Sequence, residues 1–113
     1  LHDLKENEEY YLGVFLVGAY QETLGDLHNL MGDTNIVSIR ITDEGTYDFV
    51  REIDGDSVSD VLSFVEYDPK AMLVEFRSMA EQAVKEGYIT PSERRRIMKA
   101  FETGLSGYTY FER

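Results

Sequence analysis

The sequence predicts an α+β fold, with short β-strands first and a C-terminal bundle of about three helices after them. Three observations carry this expectation. Residues 35–42 alternate between apolar and polar side chains, as a half-buried strand does. Residues 46–53 follow a short turn and read as the returning strand. Beyond residue 56, apolar side chains recur at helical spacing behind strong helix-start signals. The change of pattern near Asp56 divides the chain into residues 1–55 and residues 56–113.

Residues 1–9 are charged and without periodicity, which suits a connector or a frayed end. Tyr10-Tyr11-Leu12-Gly13-Val14-Phe15-Leu16-Val17 is a continuous β-prone run, apolar on both sides. It predicts a strand buried on two faces. Gly13 and Gly18 mark a bulge or a close backbone approach. Such a strand asks for a larger sheet than this chain supplies, so the isolated chain is expected to expose an edge and self-associate. Residues 18–33 predict a short, irregular helix, with Leu24, Leu27, Leu30 and Met31 at helical spacing. Gly25 weakens it and Gly32 ends it.

In the hairpin, Asp43-Glu44-Gly45 is the turn, with glycine where positive φ is wanted. Asp54-Gly55-Asp56 is a second turn. Ser57 caps a short helix carrying Val58, Val61, Leu62 and Val65. Asp68-Pro69 opens the next helix as N-cap and first-turn proline, with Met72, Phe76, Met79, Ala80 and Ala83 along one stripe. Gly87 stops it. Thr90-Pro91-Ser92-Glu93 is a capping box for the last helix, whose stripe is Ile97, Met98, Phe101 and Leu105. Gly104 and Gly107 are expected to break that helix before the aromatic tail Tyr108-Thr109-Tyr110-Phe111.

At 113 residues the chain has material for one ordinary core. Its 42% apolar and 29% charged residues match a soluble globular composition. The most apolar stretch is too short to span a bilayer, and it lacks the basic flank and cleavage site of a signal peptide. The cytoplasm is therefore the expected compartment. Leu1 in place of a start methionine suggests a chain trimmed from, or lying inside, a longer polypeptide. Cysteine is absent, which excludes disulfides and thiolate metal sites. A net charge of −11 repels phosphate backbones and argues against nucleic-acid binding. The acidity reads either as a solvated face or as attraction for a cationic substrate.

No complete catalytic apparatus is legible. Phosphate-binding glycine loops, a helical metal-binding histidine pair and a serine elbow are all missing. A lysine that holds a carbonyl cofactor needs a desolvated pocket, and Lys5, Lys70, Lys85 and Lys99 sit in charged or polar-faced segments. The dense polar cluster is Tyr20, Gln21, Glu22, Asp26, His28, Asn29 and Asp33, directly after the apolar run. Pockets are often built at such strand ends, with Tyr20 offering a hydroxyl to an anion. An ordinary capped helix with a hydrogen-bonded tyrosine and a surface histidine accounts for the same residues. Asp33 is expected to face solvent or to cap.

The run from Phe15 through Gly18-Ala19-Tyr20-Gln21-Glu22 and Leu27-His28-Asn29-Leu30-Met31-Gly32-Asp33-Thr34 closely resembles a signature of bacterial biosynthetic arginine decarboxylases. Leu62-Ser63-Phe64-Val65-Glu66-Tyr67-Asp68-Pro69-Lys70 and Phe101-Glu102-Thr103-Gly104-Leu105-Ser106-Gly107-Tyr108-Thr109-Tyr110 resemble that family's C-terminal helical extension and terminal motif. The family uses pyridoxal phosphate, is related to ornithine and diaminopimelate decarboxylases, and shares the alanine racemase-like fold. The resemblance covers nearly all of this chain but only a minor, C-terminal fraction of a family member.

The resemblance implies that residues 1–55 end the family's β-domain and that residues 56–113 form its helical domain. It implies that Tyr20 contacts the cofactor phosphate. It places His28 and Asn29 beside the active site, with the histidine, an aromatic in ornithine decarboxylases, toward the substrate side chain. Met31 stands where many arginine decarboxylases have phenylalanine. The lysine, the glycine-rich phosphate loop and a cysteine-bearing substrate motif would lie upstream. The whole enzyme would convert L-arginine to agmatine and carbon dioxide in polyamine biosynthesis, with Mg2+ and as a homo-oligomer, dimer or tetramer. Alone, the chain is expected to be inactive. The alternative is a non-catalytic oligomerisation or binding module of the same family.

Overall fold

A computed structural model describes residues 1–20 and 27–111, and of His28 the backbone alone. Two antiparallel strands are followed by three helices: β1 (Ile36–Ile41), β2 (Tyr47–Ile53), α1 (Val58–Phe64), α2 (Pro69–Lys85) and α3 (Pro91–Ser106). The α+β expectation holds, with the hairpin ahead of the three helices.

The helices begin where their caps place them. Ser57 and Asp60 form a capping box, with Ser57 Oγ accepting from the Asp60 N–H at 3.2 Å and Asp60 Oδ2 accepting from the Ser57 N–H at 2.9 Å. Asp68 Oδ1 accepts from the N–H groups of Lys70 and Ala71 at 2.9 and 3.2 Å, ahead of Pro69. Thr90 and Glu93 repeat the box for α3. α2 ends in a Schellman motif. Gly87 sits at φ +80°, its N–H reaches the Val84 carbonyl at 3.1 Å, and the Tyr88 N–H reaches the Ala83 carbonyl at 2.9 Å. Gly104 departs from expectation: it lies inside α3, which runs on to a cap at Gly107. A glycine within a helix weakens it without being bound to end it.

The three helices pack on one another, with Val61 (2% exposed), Ala80 and Met98 at the centre. Phe76 of α2 and Phe101 of α3 stack with ring centroids 4.2 Å apart and planes inclined by 21°. The apolar stripes are correct except at their edges. Met79 is 63% exposed and Ile97 is also outside, while their neighbours Ala80 and Met98 are buried. Each residue turns the helix by about 100°, so the packing partner decides which of two adjacent apolar residues faces inward. Arg77–Glu102 (3.7 Å) and Arg94–Glu81 (3.2 Å) pair at the solvated rim of α2 and α3.

β1 and β2 form the expected hairpin around a turn with Gly45 at φ +77°. Ser38 faces Arg51 while Ile39 faces Phe49, so Val50 is the extra residue of a β-bulge. One face carries Ile39 opposite Phe49 and Ile41 opposite Tyr47. Tyr47 and Phe49 meet edge to face at 5.6 Å. The half-buried strand expected here is instead exposed: Ile39 is 56% accessible, and Ile41, Tyr47 and Phe49 are more so.

The largest correction concerns residues 10–17. They form no strand, and their side chains lie open, Phe15 at 87%. A strand takes its backbone hydrogen bonds from a neighbour, and the described sheet pairs β1 with β2 alone. Leu16, at φ +59°, also leaves the extended region. Of the helix expected over residues 18–33, residues 21–26 lie outside the described residues; the described end is a 3-10 turn, His28–Leu30. The Cα radius of gyration is 20.3 Å, against about 13 Å for a compact chain of this length.

Candidate functional site: a tail clasp beside the polar cluster

The polar cluster enters the described structure again at Leu27. Leu27, Asn29 and Leu30 adopt φ values of 50°, 55° and 64°. The left-handed region is disfavoured for residues with a Cβ, and concentrations of such residues mark functional segments. Of the residues singled out in the sequence, Tyr20 is 85% exposed, Asn29 is exposed, and His28 lies in the 3-10 turn between Leu27 and Asn29. Gln21, Glu22 and Asp26 lie outside the described residues. Asp33 is exposed, as expected, and its N–H donates to Asp56 Oδ2 at 2.8 Å.

Immediately after this turn the chain is gripped by its own C-terminal tail. The Gly32 N–H donates to Thr109 Oγ1 at 3.0 Å, and the Tyr110 hydroxyl donates to the Gly32 carbonyl at 2.8 Å. The Asn35 N–H donates to the Tyr108 hydroxyl at 3.0 Å. Three consecutive tail residues therefore hold a four-residue stretch more than seventy positions earlier. The second turn completes the clasp. The Gly55 N–H donates to Asn35 Oδ1 at 2.7 Å, the Asp56 N–H to the Asp33 carbonyl at 3.0 Å, and the Thr109 N–H to the Asp56 carbonyl at 3.3 Å. The Val58 N–H donates to the Gly107 carbonyl at 2.9 Å, and Ser59 Oγ to the Leu105 carbonyl at 2.7 Å. The tail is thus tied to α1 as well.

Two glycines permit the close approach. A Cβ on Gly32 would overlap Asp56 and press on Val61, and one on Gly55 would overlap the Asp33 carbonyl oxygen and the Tyr108 ring. A cleft of about 290 Å³ lined by Asn35, Asp54, Gly55, Ser57, Ser106, Gly107 and Tyr108 opens beside the clasp. Nothing in the sequence pattern announces this arrangement. The tail reads as an aromatic end, and its partners lie too far away for periodicity to connect them.

Chemically, the described residues supply donors and positioning. Lys5, Lys70, Lys85 and Lys99 are all exposed, so none sits in the dry pocket that a cofactor-holding lysine requires. The two carboxylates held below the usual carboxylate range are caps: Asp60 by the hydroxyl and N–H of Ser57, and Glu93 by the N–H and hydroxyl of Thr90. Among the described residues, no group of three or more His, Cys, Asp and Glu side chains is arranged to hold a metal ion, and no helix is long and apolar enough to cross a membrane.

A hairpin closed onto a three-helix unit by the unit's own tail has the form of a helical extension appended to a β structure. The family described as arginine decarboxylase C-terminal helical extension matches residues 58–111. Over nearly the whole chain the similarity goes further. The biosynthetic arginine decarboxylases of Phocaeicola vulgatus and Bacteroides thetaiotaomicron are each 46% identical over 99% of this chain and 18% of their own length. That of Gloeobacter violaceus is 48% identical over 97% of this chain and 18% of its own. Over nearly its whole length the chain is therefore similar to biosynthetic arginine decarboxylases, and over residues 58–111 to their C-terminal helical extension. It spans less than a fifth of the length of the curated relatives that it matches.

Proposed function

We propose that this chain is the C-terminal part of an arginine decarboxylase that converts L-arginine to agmatine and carbon dioxide for polyamine biosynthesis. The observation that carries the reading is the 46% identity to biosynthetic arginine decarboxylases over 99% of the chain. Residues 1–55 would then end the catalytic β-domain and residues 56–113 form the helical domain.

The cofactor of that reaction is pyridoxal phosphate, which when bound accepts the electron pair left on the α-carbon as the carboxylate departs. The residues present fit a share of its site. Tyr20, the first residue of the polar cluster, carries an exposed phenol, a suitable donor to a phosphate oxygen. The solvated state of all four lysines agrees with a covalent lysine supplied upstream. His28 and Asn29 would face the substrate, with Asn29 offering both amide donors and an acceptor. Mg2+ would serve the whole enzyme, and this segment is not proposed to ligate it. The chain's own part is to orient and to complete. It would be inactive alone, and the full enzyme would be cytoplasmic.

The exposed apolar face of β1 and β2 favours a second role in the same assembly, as a contact surface in a homo-oligomer, dimer or tetramer. The decisive experiment measures labelled carbon dioxide released from arginine by the full-length protein and by the 113-residue chain. Turnover by the first and none by the second is expected. An inactive full-length protein sinks the enzymatic reading, and turnover by the short chain sinks the division of labour.

A further inference from the structure

We infer that the C-terminal tail, through Tyr108, Thr109 and Tyr110, is a positioning device for the turn that carries His28 and Asn29. This inference rests on the arginine decarboxylase reading. Two independent features of the fold meet at Gly32. On one side, three of the four residues Leu27–Leu30 hold left-handed backbone angles. Residues with a Cβ stay in that region only where their surroundings over-determine the conformation. On the other side, the tail takes both backbone polar groups of Gly32 and the N–H of Asn35. The site is also full: Gly32 is buried, and a Cβ there would strike Asp56 and Val61, so the segment has no room to drift.

The leverage is short. Gly32 lies three residues from Asn29, and each virtual bond is about 3.8 Å with one planar peptide. A displacement of Gly32 therefore falls close to Asn29, in a turn whose left-handed angles at Leu27, Asn29 and Leu30 leave few alternative conformations to absorb it. In this role the tail residues need contact neither cofactor nor substrate. They act through the backbone of residues 27–32, and so are positioning residues. The tail also reports on the helical unit, because Gly107 and Leu105 bind α1 through Val58 and Ser59. The three helices thereby act as the rigid base from which the turn is held.

The test uses the full-length decarboxylase carrying this chain. Tyr110→Phe removes one hydroxyl and keeps the ring that packs against Tyr108 at 5.1 Å. Thr109→Val removes the acceptor for Gly32 at nearly constant shape, and Thr109→Ser restores it. Two quantities are read: amide exchange over residues 27–32, and steady-state kinetics with arginine and with ornithine. Either loss is expected to speed exchange at 27–32 by about three- to tenfold, the equivalent of one neutral hydrogen bond, with the α2 and α3 amides unchanged. KM for arginine should rise by a similar factor with kcat nearly constant, and the preference for arginine over ornithine should fall in step. Thr109→Ser should return both readouts to within about twofold of wild type. Unchanged exchange at 27–32, or faster exchange with KM and selectivity unmoved, overturns the positioning role while leaving the enzyme reading intact. A full-length wild type that releases no carbon dioxide from arginine overturns the enzyme reading and this role together.

Discussion

The two halves of this chain treat their apolar residues in opposite ways. In residues 57–111 each helix is closed at its start by a cap, and the inward side of each apolar stripe meets partners within the chain, as Phe76 meets Phe101, while Phe64, Val74 and Tyr88 stay open. In residues 10–53, Phe15, Ile39, Ile41, Tyr47 and Phe49 are largely open. The difference is one of where an element finds its hydrogen bonds and its cover. A helix closes its backbone bonds internally and needs one packed stripe. A strand borrows its bonds from a neighbour and offers a whole face, so it is only as complete as the sheet around it.

If the halves differ in this way, the largest loss of stability should come from the helical core. Met98 sits among α1, α2 and α3 and is almost fully buried. Met98→Ala removes most of that side chain and leaves a cavity that three capped helices cannot readily close, at a cost of about 2–3 kcal/mol. Urea unfolding of the 113-residue chain, followed by helical circular dichroism, measures this. A loss under about 0.5 kcal/mol would mean that the helices do not form one cooperative unit, and the contrast would fail.

A smaller effect is expected at the caps. Thr90→Ala removes the acceptor for the Glu93 N–H and should cost about 1 kcal/mol. Acid gives the same test without mutation. Glu93 and Asp60 are held below the usual carboxylate range by their bonds to Thr90 and Ser57. Their folded forms titrate lower than their unfolded forms, so the caps' contribution is present above the ordinary carboxylate pKa of about 4 and is lost as pH falls through the lowered values. Helical signal should therefore weaken on acidification below that range. In Thr90→Ala this acid sensitivity should shrink, because Glu93 has lost a partner that favoured its charge.

The same contrast explains how much was legible in the sequence. Ser57, Asp68, Thr90 and Gly87 act within three or four residues of themselves, and every one marks a helix end where the sequence placed it. The hairpin was legible through Gly45, again a local constraint. Residues 10–17 carry an equally strong apolar signal, but that signal states a need for a partner without naming one, and they form no strand in this chain. The bulge at Val50 and the clasp of Tyr108, Thr109 and Tyr110 on Gly32 and Asn35 depend on pairings across the fold, which no window of residues contains. Of the candidate site, the residue types of Tyr20, His28 and Asn29 were readable, and the left-handed turn and its anchoring were not.

The smallest effect should be the most informative one, on the hairpin face. Ile39→Thr keeps a β-branched residue, so backbone preference hardly changes, and it replaces an apolar group that water already reaches. In the 113-residue chain the change should lie within about 0.5 kcal/mol of zero. In a full-length protein carrying this chain the same substitution would meet a different surrounding. If β1 and β2 rest against another part of that protein or a second subunit, Ile39 is buried there, and its loss should cost about 1.5 kcal/mol or more. Equal and negligible effects in both contexts would show that the face stays wet in the whole protein. A cost confined to the full-length protein would identify the open half of this chain as a surface waiting for its cover, with the clasped helices holding it at the right angle to receive it.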